Sequence, residues 1–284
     1  MELLVTDSGI GVLEGESITL LAKEFADLSE VLAAGTTLED LCRGPVRNEV
    51  SYSDARVLTP LGRRISVWGV GSNYRPHGGT RFVRSGNPTV FLKAPSSLAD
   101  PGSEIGVPAE MTDQLDYEGE LAVVIGRPMH DVPEENAWDY VAAITAANDS
   151  TARDVMTATG NPLLGKSFPQ FSAIGPALSP LSCVENRDDI TVRSWVNSEL
   201  RQSSSTSELA YSVPELLARI SRFALLVPGD VVLTGGPAGR GIDVGKYLDI
   251  GDVVKISVGR CTPLVNTVGT RSGSVSLREL VKEG

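Results

Sequence analysis

The densest group of chemically useful side chains is Asp116-Tyr-Glu118-Gly-Glu120, which runs straight into Leu121-Ala-Val-Val-Ile125. In extended chain, residues two apart point the same way and lie roughly 6.5 Å from one another, so Glu118 and Glu120 share a face. The apolar run behind them does not alternate, which is the pattern of a strand covered on both sides. Two carboxylates aimed at a covered surface carry a large desolvation cost unless a cation neutralises them. A third acid, Asp149, ends a second apolar run that starts at Val141. Three hard oxygen donors without Cys or paired His suit Mg²⁺, Mn²⁺ or Ca²⁺ rather than zinc, and leave open positions for a chelating substrate. The same spacing also suits two acids on the wet face of an antiparallel strand, and spacing alone does not choose between them.

Three further segments carry candidate chemistry. Gly71-Ser-Asn-Tyr74-Arg-Pro-His77-Gly-Gly-Thr80 leaves an apolar stretch at a break rich in turn formers, and a histidine there can act as a general base near neutral pH. The other histidine, His130, stands in what reads as an ordinary connection, Pro128 to Pro133. Gly160-Asn-Pro-Leu-Leu-Gly165-Lys166-Ser167 fits the letters of a phosphate-binding loop. No strand of β-formers precedes it and Pro162 disturbs it, so that reading is set aside. Lys166 instead suits a cation beside developing negative charge, the role a lysine plays in enolate chemistry. Thr234-Gly235-Gly-Pro-Ala-Gly239 follows a short apolar run, and such a loop lets backbone amides approach an anion closely.

The elements that must position these groups read as mainly β. Short β-type runs divided by Gly and Pro fall at Val67–Val70, Thr89–Leu92, Leu121–Ile125, Val231–Thr234 and Val253–Val258. Helical pattern is confined to a few segments, chiefly Thr37–Cys42, Glu134–Val141 and Val213–Leu226, with Pro214 in the first turn of the last. A β-rich α+β fold follows, rather than regular βαβ alternation. A soft boundary near residue 60 separates a small N-terminal α+β domain, 1–60, from a catalytic domain, 61–284.

Composition narrows the partners. With 25 Lys+Arg against 36 Asp+Glu the formal charge is −11, which argues against nucleic-acid binding driven by counterion release. The 41% hydrophobic content is that of a globular chain. Apolar stretches fall far short of the roughly 18 residues a membrane helix needs, and the start lacks the features of a signal peptide, so a cytoplasmic location is expected. Cys42, Cys183 and Cys261 are scattered and suggest reduced thiols, not a disulfide framework.

Taken in order, Gly69 to His77, Pro88 to Lys93, Asp116 to Gly126, Ala147 to Asp154, Gly165 to Phe168 and Val227 to Gly239 resemble the fumarylacetoacetate hydrolase family over nearly the whole chain. The resemblance implies a mixed β-sandwich roll, usually a homodimer, holding one divalent cation. It implies Glu118, Glu120 and Asp149 as metal ligands, Lys166 against the substrate oxyanion and His77 as general base. Arg153, Thr234, Gly235 and Tyr74 would line the substrate pocket, and Arg81 would place positive charge at its mouth for a substrate carboxylate. The expected substrate is a small 2-oxo acid or β-dicarbonyl compound. Hydrolytic members carry a glutamate about three residues after the histidine, whereas Gly78 to Gly86 contains no acid. The expectation is metal-dependent C–C hydrolysis of an acylpyruvate-like compound. Decarboxylation or tautomerisation on the same site is the alternative, and a non-catalytic binding protein on this fold is a third reading.

Overall fold

Apolar β-formers cut by Gly and Pro turns produce strands throughout the computed structural model, which describes residues 1–75, 86, 88–107 and 111–270. The chain opens with β1 (Glu2–Thr6), β2 (Gly9–Glu14) and β3 (Ser17–Leu21), then α1 (Leu28–Ala33) and α2 (Leu38–Cys42). Thr37 caps α2 by accepting from the Asp40 amide, as the threonine before an acidic turn predicted. β4 (Val46–Ser51), β5 (Val57–Leu58), β6 (Val67–Gly71), β7 (Thr89–Lys93), β8 (Leu98–Ala99), β9 (Glu104–Val107) and β10 (Leu115–Asp116) follow. Next come β11 (Gly119–Ile125), β12 (Val141–Asp149), β13 (Thr151–Ala152), α3 (Arg153–Thr159), α4 (Pro162–Lys166) and β14 (Ser172–Pro180). The chain continues through β15 (Thr191–Val196), β16 (Glu199–Ser205), α5 (Val213–Ser221), β17 (Val231–Leu233), α6 (Gly241–Val244), β18 (Val253–Val258) and β19 (Leu264–Thr270).

The main sheet runs β4-β3-β2-β1-β14-β12-β11-β17-β6-β7, and a second sheet runs β16-β15-β18-β19-β9. Most pairs are antiparallel; β17–β6, β14–β8 and β19–β9 are parallel. This is the mixed, β-rich architecture expected. The first strands extend the central sheet, since β1 pairs with β14 through Leu3 and Leu178.

Strand β11 lies inside the molecule on both faces. Leu121, Val123 and Ile125 join one apolar cluster with Ile256, Val192 and Leu264 of the second sheet. Ala122 and Val124 join another with Leu28, Val31, Leu38 and Leu41 of α1 and α2. The unbroken apolar run is explained by these two covers, since each face needs its own.

Two helical expectations change in detail. Residues 134–140 form a 3₁₀ helix rather than an α-helix. α5 stops at Ser221, and Leu226 beyond it exchanges backbone hydrogen bonds with Met129, at 3.0 and 2.9 Å, in an extended bridge.

Candidate metal centre

Antiparallel pairing of β11 with β12 sets Glu120 opposite Ala147 and Gly119 opposite Asn148, so Asp149 arrives beside the Glu118–Glu120 segment. The Asp149 amide closes the junction by donating to the Glu118 carbonyl at 2.9 Å. Each of the three acids offers one oxygen within 4.8 Å of the others, and all three are buried. The sequence-predicted triad therefore converges. A buried cluster of hard oxygens fits a divalent ion of the Mg²⁺, Mn²⁺ or Ca²⁺ kind.

Charge around the triad supports the same fit. Burial alone would raise the Glu118 carboxyl, but Lys166, Arg153 and Arg240 beside it hold it at about 2. Glu120 goes the other way: burial, with the Asp149 and Glu118 charges next to it, pushes its carboxyl well above the ordinary range. The protein's own cations thus leave Glu120 uncompensated, the deficit that a bound divalent cation removes.

Each acid has its own anchors. Glu120 Oε2 accepts from the Gly235 amide at 2.7 Å. Gly235 has φ +98°, and a Cβ there would sit 2.9 Å from the Asn73 Cβ, so only glycine brings that amide so close. Asn73, buried, holds the loop by donating from Nδ2 to the Thr234 carbonyl at 2.8 Å and the Tyr211 carbonyl at 3.1 Å. The Gly119 amide, between the two glutamates, donates to Gln202 Oε1 at 2.9 Å. Gln202 Nε2 in turn reaches the Pro237 carbonyl at 2.7 Å.

Cations converge on the same oxygens. Lys166 Nζ donates to Asp149 Oδ2 at 2.6 Å, Glu118 Oε1 at 3.0 Å and Thr151 Oγ1 at 2.8 Å. Burial pulls its ammonium down, yet Asp149 and Glu118 together raise it, so it stays charged. Lys93 Nζ bonds the other Asp149 oxygen, Oδ1, and the Phe171 carbonyl. Arg153 donates from Nε to Asp116 Oδ2 at 2.7 Å, and its terminal nitrogen bonds Glu118. Asp116 also accepts from the Gly241 and Ile242 amides at 2.6 and 3.1 Å.

The remaining sequence-predicted residues fall as follows. Arg153 turns its guanidinium onto two carboxylates. Thr234 is buried with its hydroxyl donating to the Leu121 carbonyl at 3.1 Å. The Tyr74 hydroxyl is buried with no hydrogen-bond partner among the described residues. Burial, with Glu120 nearby, raises that phenol well above its ordinary value. His77 and Arg81 lie outside the described residues. The segment that spells a phosphate loop consists instead of Gly160, Asn161, α4 and Ser167, with Asn161 capping the helix.

Sequence reasoning did not single out Lys93, Asp116, Thr151, Arg240 or Gln202. Lys93 had a readable mark, a charged residue closing the apolar series Pro88-Thr-Val-Phe-Leu-Lys93. Asp116 sat within the acidic run. Gln202 stands in a polar stretch, and nothing local distinguishes it.

The family model described as fumarylacetoacetate (FAA) hydrolase C-terminal matches residues 66–269. The chain belongs to the fumarylacetoacetate hydrolase family. It is 37% identical over 225 residues to the oxaloacetate tautomerase YisK of Bacillus subtilis, covering 77% of this chain and 75% of that protein. Among solved structures it resembles a fumarylacetoacetate hydrolase from Exiguobacterium antarcticum, with a TM-score of 0.84 and 34% identity over 95% of this chain and 99% of the other. It also resembles the 5-carboxymethyl-2-hydroxymuconate delta-isomerase of Mycobacterium smegmatis, with a TM-score of 0.78 and 29% identity over 95% and 100% of the two chains. These family relatives thus carry both hydrolase and isomerase names. No helix among the described residues is long and apolar enough to cross a membrane.

Proposed function

We propose that this protein is a divalent-metal-dependent tautomerase of a small 2-oxo dicarboxylic acid of the oxaloacetate class. The observation that carries this reading is the state of the site's acids and bases. C–C hydrolysis needs a base held in place to activate water. Yet Gly78 to Gly86 offers no acid to orient His77, and among the described residues Asp116, Glu118 and Asp149 are all held by cations. Tautomerisation needs only one proton moved between carbon and oxygen while an enolate is stabilised. The likeness to YisK supports the same choice.

Glu118, Glu120 and Asp149 would hold the ion, with Mg²⁺ or Mn²⁺ preferred and Ca²⁺ the alternative. A bound divalent ion supplies an electrostatic sink for enolate charge. Lys166 presents its ammonium to the developing oxyanion. His77 carries the proton to and from carbon, and the Tyr74 hydroxyl, without a partner among the described residues, donates to the substrate. Arg153 acts on the site through Glu118 and Asp116, fixing their pose. The working unit in this proposal is a cytoplasmic homodimer.

A second reading, C–C hydrolysis of an acylpyruvate, is favoured by the name of the Exiguobacterium neighbour. Ultraviolet absorbance of enol-oxaloacetate and pyruvate release from acetylpyruvate separate the two. The expected result is faster enol decay with Mg²⁺ or Mn²⁺, lost in EDTA and in Glu118→Ala and Glu120→Ala, with acetylpyruvate untouched. His77→Ala should lower the rate roughly 10²-fold or more. Acetylpyruvate cleavage without any effect on enol-oxaloacetate would establish hydrolysis instead. Tight metal binding without turnover of either compound would establish a binding protein.

A further inference from the structure

Lys166 and a divalent ion draw on the same carboxylates. The ammonium is within hydrogen-bond distance of Asp149 Oδ2 and Glu118 Oε1, two of the three carboxylates whose oxygens converge. An ion bonded to these carboxylates at roughly 2.0–2.6 Å would stand within a few ångströms of an ammonium on the same groups. At that separation like charges repel strongly in a buried site. One of the two lysines at Asp149 must give way.

Geometry decides which one. Lys93 is 2% exposed, closes strand β7, and has its second bond on the Phe171 carbonyl. It has nowhere to go. Lys166 ends the five-residue helix α4, and its ammonium stands 5.2 Å from the centre of the Phe91 ring, whose face is an alternative seat for a cation. Asp149 would keep Lys93 on Oδ1 while Oδ2 is released.

We propose that Lys166 is a displaceable internal counter-ion of the metal centre: it holds Glu118 and Asp149 until a divalent ion takes them, and the freed ammonium then becomes the donor to the oxo acid. Ion and substrate therefore load in that order, and Lys166 lowers the resting affinity for the ion. The inference rests on the reading of the triad as a metal centre; it does not depend on which reaction follows.

The test is Mn²⁺ binding, followed by electron paramagnetic resonance of the free ion, in wild type, Lys166→Met, Lys166→Gln and Lys166→Arg. Each is titrated with and without oxalate, a non-reacting mimic of a 2-oxo acid. Removing the charge should tighten Mn²⁺ binding about tenfold or more in Lys166→Met and Lys166→Gln, while Lys166→Arg stays near wild type. Oxalate should tighten Mn²⁺ strongly in wild type and much less in the two neutral variants, and the coupling must be reciprocal. Melting curves in EDTA establish that each variant is folded; Lys166→Gln, which keeps a hydrogen-bonding end, carries the test if Lys166→Met is not. Unchanged or weaker Mn²⁺ binding in a folded neutral variant overturns the proposal while the metal centre stands. Failure of wild type to bind Mn²⁺ any better than Glu120→Gln removes the metal centre, and this inference with it.

Discussion

From Leu121 to Ile125, β11 is buried by apolar neighbours on both faces. From Asp116 to Glu120 the chain is buried almost as fully, with Asp116 at 0%, Glu118 at 5% and Glu120 at 1% exposure, but by charge. The apolar half needs only volume around it, supplied by two layers that many sequences could build. The charged half needs donors directed at its oxygens, and these come from β13, α3, α4, α6 and the loop after β17. Burial by apolar contact tolerates local loss; burial of charge fails when one partner goes, because the other stays in low dielectric without compensation.

That contrast can be broken by substitution. Arg153→Met should have the largest effect, since it takes a buried cation from Asp116 and Glu118 at once. A loss of about 3–5 kcal/mol is expected, read by urea unfolding with the slope unchanged. A loss below about 1 kcal/mol would mean that these carboxylates find other partners, and that the two halves differ less than argued. Val123→Ala, in the apolar half and fully buried, should cost about 2–3 kcal/mol by transfer and cavity formation, and should leave Mn²⁺ binding untouched. A change in metal affinity would show that the halves are coupled.

The smallest effect concerns Glu120 and is read through pH. Its carboxyl is raised in the folded protein, from an ordinary 4.5, so its stabilising contribution is present below that ordinary value. It is lost as pH climbs through the raised one. Glu120→Gln, which stays neutral, should therefore melt above wild type at pH 8 in EDTA, and the gap should close toward pH 4. With Mn²⁺ present the order at pH 8 should invert, because only the carboxylate holds the ion. A gap that does not vary with pH would deny that Glu120 is the uncompensated acid.

Much of this could be read before the fold was known, for identifiable reasons. The run Leu121–Ile125 announced burial on both faces by its lack of alternation, and Thr37 announced the start of α2. Glu118 and Glu120 were legible because strand geometry fixes their separation. Asp149 was legible as the end of a second covered run. Lys93 was not, because a lysine closing a strand reads equally well as a solvated end; only its bonds to Asp149 and the Phe171 carbonyl, far along the chain, show it turned inward. Nor could Arg153 be seen to face Asp116, since α3 begins 37 residues beyond that acid. Spacing along the chain says nothing of such a pairing.

Consider finally what alanine scanning would make of Glu120. The group that secures it is a main-chain N–H, which no exchange of side chains deletes. A scan that passes over glycines would report Glu120 as indispensable and its anchor as blank. The record of that anchor lies in the crowding at position 235, where an added methyl would meet Asn73. Gly235→Ala is thus a way to mutate a backbone amide, by moving it.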